Sequence, residues 1–158
     1  MTDPKGSPET GYLPVQYPEE QPYWDGLRAG ELRLQKCHDC GKVRYPVGPV
    51  CSRCLSSRAA WAVMSGLGTV STYVVFWKAW APWLQSRAPY VVAQVELPEG
   101  PRLTTNLLGI EPADVRVGLD VTAVYERRAE DIVLLQFEPR QPAGVSAAAG
   151  ADGAGAGG

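Results

Sequence analysis

One histidine and four lysines are all that this 158-residue chain carries of those two types. The shortage of histidine is the more restrictive. His38 is the only imidazole, and Ser-His-Asp or Cys-His catalysis needs one beside its nucleophile. His38 lies inside a C-x-x-C pair, so no such set can be assembled around it. Few lysines, a net charge of -2 and a pI near 5.4 give no electrostatic reason to expect a nucleic-acid partner. No apolar run reaches the roughly eighteen residues that span a bilayer. Nor does a basic start precede an apolar stretch as in a secretory signal. The expectation is therefore a cytoplasmic protein without a membrane contact. The acidic residues are scattered over turns such as "LPEG" and "EPAD", where solvation is their ordinary role. A chain this poor in catalytic groups more often helps an enzyme than is one.

What the sequence does hold begins at residues 36–54, "KCHDCGKVRYPVGPVCSRC". All four cysteines fall here, as the pairs Cys37/Cys40 and Cys51/Cys54 with ten residues between them. Two residues inside each pair let both sulfurs of a tight turn face one ion, and Gly41 permits the backbone such a knuckle needs. In a reducing compartment, cysteines at this spacing are thiolate ligands before they are disulfides. Four thiolates leave no open coordination position, which describes a structural Zn2+ centre. An iron site of the rubredoxin type and a redox dithiol are the alternatives. His38 reads as an exposed knuckle residue because the ligand set is complete without it.

Around this block the chain divides into an extended arm (1–21), a helix plus zinc ribbon (22–62), a barrel (63–140) and an Ala/Gly-rich tail (141–158). The tail is 13 Ala or Gly in 18 residues and adds nothing to a core. About 120 residues remain to fold, enough for a core without disulfides. "YWDGLRAGELRLQ" begins with helical spacing and ends alternating, so a helix over 22–29 stopped by Gly30 leads into a strand. Val-, Tyr-, Thr- and Leu-rich segments at 69–77, 90–97, 102–108, 121–126 and 132–137 read as strands. The fold class is mainly β: a helix and rubredoxin-like ribbon followed by a five-stranded OB-fold barrel.

"FWKAWAPWLQSRAPY" (76–90) interrupts that pattern. Three of the five tryptophans, Trp77, Trp80 and Trp83, lie within seven positions, and Pro82 and Pro89 make the middle a loop. One reading has the loop fold back and cap its own barrel. The other makes Phe76, Trp77, Trp80 and Trp83 a surface for a partner or an acyl-CoA, with Trp80 and Trp83 as an exposed apolar patch; this one is favoured.

The order of parts also carries a resemblance. "YWDGLRAGELRLQKC", "RYPVGPVCSRC", "WAVMSGLGTVSTYVV", "PYVVAQVELPEGPRLTTNLLG" and "VRVGLDVTAVYE" follow one another as in the acyl-CoA-associated zinc-ribbon/OB-fold family, long catalogued as a domain of unknown function. The chain resembles that family from about residue 24 to 139. The resemblance implies a companion subunit. Members associate with thiolase-like enzymes, and some with hydratases of the hot-dog fold. Some archaeal members join an acetoacetyl-CoA thiolase to an HMG-CoA synthase. Some bacterial members partner a lipid-transfer-protein-type thiolase that cleaves steroid-CoA side chains as an aldolase. The ribbon ligands carry over to Cys37, Cys40, Cys51 and Cys54; no fixed motif carries over for the partner or acyl-CoA surface.

Two functions follow as expectations. The first is a non-catalytic subunit of an acyl-CoA aldolase or thiolase complex, with steroid side-chain degradation as the favoured setting. The alternative is a single-stranded nucleic-acid-binding module, since ribbons and OB-folds both serve that role.

Overall fold

The computed structural model describes residue 11 and residues 13–140. Most of the expected arm (1–21) and the whole tail (141–158) lie outside the described residues. A 3-10 turn, Pro18–Glu20, runs into helix α1, Gln21–Arg28. Eight strands follow: β1 Arg33–Cys37, β2 Val43–Arg44, β3 Ala59–Val63, β4 Leu67–Phe76, β5 Tyr90–Glu96, β6 Arg102–Leu107, β7 Asp120–Arg127 and β8 Val133–Pro139. The first three form a sheet in the order β2-β1-β3, and the last five close a barrel in the order β4-β5-β6-β8-β7.

Helix α1 ends where its sequence says it must. Gly30 takes φ +75°, its N–H reaches the Leu27 carbonyl at 3.2 Å, and the Glu31 N–H reaches that of Gly26 at 2.8 Å. This paired closure satisfies the last carbonyls and needs a residue without a Cβ penalty at the left-handed position. Trp24 and Leu27 on the inner face bury against Val133, with Tyr125 and Leu135 beside them. Arg28 fixes the outer end, pairing with Asp25 at 2.6 Å and donating to the Asp131 carbonyl at 2.9 Å in the β7–β8 turn.

Alternation builds the barrel. On β5, Val91, Ala93 and Val95 point inward, and on β6, Leu103, Thr105 and Leu107 do so. The buried Thr105 hydroxyl donates to the Leu135 carbonyl at 3.1 Å, so its polarity is met. β6 and β8 run parallel at Leu107 and Phe137, the one parallel junction among the described strands. Where β4 crosses β5, a Cβ on Gly68 would lie 2.3 Å from Val95 Cγ1. The Val95 side chain occupies the space that a Cβ at this position would need, so the strand takes glycine there.

The ribbon is not a separate body. Leu32, Leu34 and Met64 share one hydrophobic cluster with Val70, Val95, Leu103 and Phe137 of the barrel. Each such fully buried side chain contributes about 1.5–3 kcal/mol. The strand expected to lead into the ribbon is β1. β3 is an addition: "AAWAV" pairs antiparallel with β1 along five residues and completes the ribbon sheet.

Candidate metal centre and aromatic loop

The two knuckles repeat one backbone design. In the first, the Cys37 N–H donates to the Lys42 carbonyl at 2.9 Å and the Gly41 N–H to the Cys37 carbonyl at 3.0 Å. In the second, the Cys51 N–H donates to the Ser56 carbonyl and the Leu55 N–H to the Cys51 carbonyl, both at 2.8 Å. Gly41 at φ +71° and Leu55 at φ +60° occupy equivalent left-handed positions. β1 delivers Cys37 at its last residue, and the sheet holds the knuckle against the segment leading to β3 through the His38 N–H to the Arg58 carbonyl at 3.1 Å. His38 itself is exposed.

These turns bring together all four sulfurs that the spacing singles out. Cys37 and Cys54 Sγ lie 3.6 Å apart, as do Cys40 and Cys51, and all four fall within 4.8 Å of one another. A tetrahedral Zn2+ with bonds of about 2.3 Å needs sulfurs about 3.8 Å apart. The donor set therefore fits a structural zinc ion with no vacant position. Cys37 and Cys51 are buried, Cys40 half-buried and Cys54 exposed. The N–H groups of Arg53 and then Cys54 hold the Cys51 thiol down at about 6, with the Arg53 N–H 3.4 Å from its sulfur. Hydrogen bonding from the Cys40 backbone lowers Cys37 as well. The knuckle backbone thus favours the thiolate form of these two ligands, while the neighbouring sulfurs and burial push the Cys54 thiol up to about 12.

The five aromatic side chains of the 76–90 stretch divide. Trp77 and Trp80 stand 74% and 76% exposed, with Lys78 Nζ 5.3 Å above the Trp80 ring. Phe76 stacks on Tyr90 with centroids 5.0 Å apart. Trp83, in the 3-10 turn Pro82–Arg87, is half-buried, and a Cβ added at Gly11 would meet its ring at 2.6 Å. Trp80 and Trp83 are therefore not equivalent parts of one exposed patch. The loop is pinned at its far end by Arg87, whose Nη2 lies 2.7 Å from Glu126 on β7. Glu126 also accepts from Arg128 at 3.2 Å and from the buried Gln136. Partial burial raises the Glu126 carboxyl, but the Arg87 hydrogen bond and charge outweigh it and hold the group below its ordinary value. Nothing in the sequence pairs Arg87 with Glu126, which are 39 residues apart.

A cysteine-bound ribbon fused through a common core to a five-stranded barrel defines a zinc-ribbon/OB-fold protein. Among sequence families, "ChsH2, rubredoxin-like zinc ribbon domain" matches residues 24–59 and "ChsH2, C-terminal OB-fold domain" matches residues 61–126. A DUF35 domain-containing scaffold protein of Methanocaldococcus jannaschii is 37% identical over 97 residues, 61% of this chain and 68% of that one. The chain belongs to the DUF35 zinc-ribbon/OB-fold family.

The 3-oxo-4,17-pregnadiene-20-carboxyl-CoA hydratase alpha subunit of Mycobacterium tuberculosis is 41% identical over 104 residues, 65% of this chain and 32% of that one. A probable enoyl-CoA hydratase alpha subunit of Thermomonospora curvata is 34% identical over 120 residues, 76% of this chain and 37% of that one. The chain thus spans about a third of these two relatives. Among solved structures, a chain of the Ltp2-ChsH2(DUF35) aldolase superposes with a TM-score of 0.72 at 32% identity, over 80% of this chain and 98% of that one. A DUF35-family protein of unknown function from Sulfolobus solfataricus shares the fold, with a TM-score of 0.55 at 17% identity over 78% of this chain and 86% of that one.

Proposed function

We propose that this chain is a non-catalytic accessory subunit that binds a thiolase-like enzyme of the lipid-transfer-protein type in an acyl-CoA aldolase complex, with steroid side-chain degradation as its setting. The observation that carries this reading is the likeness to a chain of the Ltp2-ChsH2(DUF35) aldolase along 98% of that chain's length. The site chemistry agrees with it. The cysteines make a closed centre, His38 is on the ribbon surface, and the acidic side chains in ion pairs are bound to arginines. The partner then supplies the catalytic groups, and acyl-CoA lies at or near the junction of the two proteins. The zinc holds the ribbon in shape, and the ribbon and α1 dock on the partner. Trp77 and Trp80, held out from the barrel on a loop anchored by Arg87 and Glu126, cover apolar surface on that partner or line the acyl passage. Likeness to two hydratase alpha subunits supports a hydratase of the hot-dog fold as a further associate.

OB-folds that bind single strands do so across the face of their second and third strands, with aromatic rings under the bases. Here those strands are β5 and β6, whose exposed residues are Gln94, Glu96, Arg102 and Thr104. The ring these two strands turn outward among the described residues is that of Tyr90, half-buried and already stacked on Phe76, and the more exposed positions carry no aromatic ring, which weighs against the nucleic-acid reading. The test is co-purification with a thiolase-like partner encoded nearby, followed by aldol-cleavage assays. A stable hetero-oligomer whose activity needs both proteins is expected. Full activity from the thiolase-like protein alone would defeat the proposal.

A further inference from the structure

A cleft of about 720 Å³ separates the ribbon from the β5–β6 turn of the barrel. Lys36, Lys42, Arg44 and Arg53 line it from the ribbon side, and Glu99 from the turn. Two of these residues hold buried polar atoms that no described residue satisfies. Arg44 is 6% exposed, yet its Nε and Nη1 meet no acceptor among the described residues. Glu99 accepts the Ser65 N–H at 2.7 Å through one oxygen, while its other oxygen is buried and meets no donor among the described residues. The two do not pair with each other, nor does either join any of the recorded ion pairs. Folds rarely keep a buried guanidinium without an acceptor, because desolvating it goes uncompensated.

The cations at the rim have an ordinary explanation. A zinc tetrathiolate carries a net charge of about -2, and Lys42 and Arg53 beside its knuckles offset that charge. Arg44 is different. It sits in β2 opposite Gln35, not beside a thiolate. A second cavity that Arg44 also lines holds Glu19 and Glu20, but neither pairs with it, and Glu20 accepts the Trp24 indole N–H at 3.3 Å.

A ligand that meets both orphaned groups must carry an anion for Arg44 and a hydrogen-bond donor for Glu99. A bare phosphate or an acidic peptide carboxylate supplies the first and is repelled by the second. A nucleotide supplies both, with phosphates at one end and sugar hydroxyls or a base amine at the other. The cleft is of the size that small-molecule sites occupy. We propose that the ribbon–barrel cleft is a nucleotide site in which Arg44, with Lys36, Lys42 and Arg53, receives the phosphates and Glu99 accepts from the sugar or base. The ligand is either a free nucleotide or the nucleotide end of a coenzyme thioester. The inference stands on this chain alone and needs no partner subunit, so it survives or fails independently of the function proposed above.

The experiment is isothermal titration of the zinc-loaded full chain, without any partner, at low salt. The probes are ADP, acetyl-CoA, inorganic pyrophosphate and a short single-stranded DNA. ADP is expected to bind about tenfold or more tightly than pyrophosphate, and E99Q to narrow that gap. R44M is expected to abolish binding. Because a buried arginine can matter to folding, the exposed double variant K36A/R53A, checked for full zinc content, is expected to weaken ADP about tenfold or more. Binding of acetyl-CoA at least as tight as that of ADP assigns the site to the coenzyme, and weaker binding assigns it to free nucleotide. Absence of ADP binding overturns the proposal. So does an ADP affinity unchanged in K36A/R53A, or preference for the DNA strand over ADP.

Discussion

Replacing Trp77 or Trp80 by alanine separates a docking residue from a folding residue, because the two roles predict opposite pairs of results. Both side chains are about three-quarters exposed in the isolated chain, at 74% and 76%. Surface substitutions of that kind usually change stability by no more than about 0.5 kcal/mol. For Trp80 the contact with Lys78, 5.3 Å above its ring, raises the ceiling to about 1 kcal/mol. In the complex the arithmetic differs. A tryptophan buried near the centre of an interface contributes about 2 kcal/mol or more, which is about a 30-fold loss of affinity on truncation. Thermal melts of each variant alone, paired with interferometry against the thiolase-like partner, should therefore show near-native Tm and strongly weakened Kd. Trp83→Ala is the control with the opposite signature. Its ring is half-buried against Gly11, so it should lower Tm in the isolated chain. If Trp77→Ala and Trp80→Ala both leave Kd within about threefold of wild type, the aromatic loop is not the docking surface. If their Tm falls as far as that of Trp83→Ala, the loop is a cap on the barrel instead.

Leu55→Gly should stabilise the protein by about 1 kcal/mol, since an exposed leucine at φ +60° carries the left-handed penalty that Gly41 avoids at the matching position; chemical denaturation of the zinc-loaded chain reads this, and a loss of stability contradicts it. Gly68→Ala places a Cβ 2.3 Å from Val95 Cγ1 and should cost about 1–3 kcal/mol. Combined with Val95→Ala it should cost less than the two single changes together, and simple additivity would show that the crossing is not the cause. In the metal-free chain, Cys51 titrates near 6 against an ordinary value of 9.0. A depressed folded value stabilises fully above the unfolded pKa and is lost as pH falls through the folded one. Melts of chelator-treated protein should therefore show Tm rising from pH 6 to pH 9, and a flat or falling profile would refute the thiolate assignment.

The ribbon was legible because metal spacing is a local signal: two C-x-x-C pairs and a glycine define the turns whatever surrounds them. The barrel strands were legible for the same reason, since their alternation survives in sequence, and 90–97 and 102–108 lie within a residue of β5 and β6. β3 was not, because "AAWAV" opens on two alanines and becomes a strand only through its pairing with β1. The divide drawn after residue 62 likewise rests on composition, whereas Leu32, Leu34 and Met64 carry the core across it. Trp77, Trp80 and Trp83 look alike in sequence. Their exposures part because the loop turns at Pro82 and sets only Trp83 near Gly11. Arg44 gave no signal at all, since one arginine among the basic residues of a ribbon becomes unusual only when burial removes its water.

The core that runs from ribbon to barrel has a consequence for how this family diversifies. β1 ends on a metal ligand, Cys37, while Leu34 on the same strand and Leu32 just before it share the hydrophobic cluster of the barrel. The two halves are therefore not interchangeable parts. A chimera that grafts this ribbon onto a relative's barrel must bring Leu32, Leu34 and Met64 into register with side chains they did not evolve beside. Recombination between relatives is then expected to succeed at the outer knuckles and the aromatic loop, and to fail at the seam.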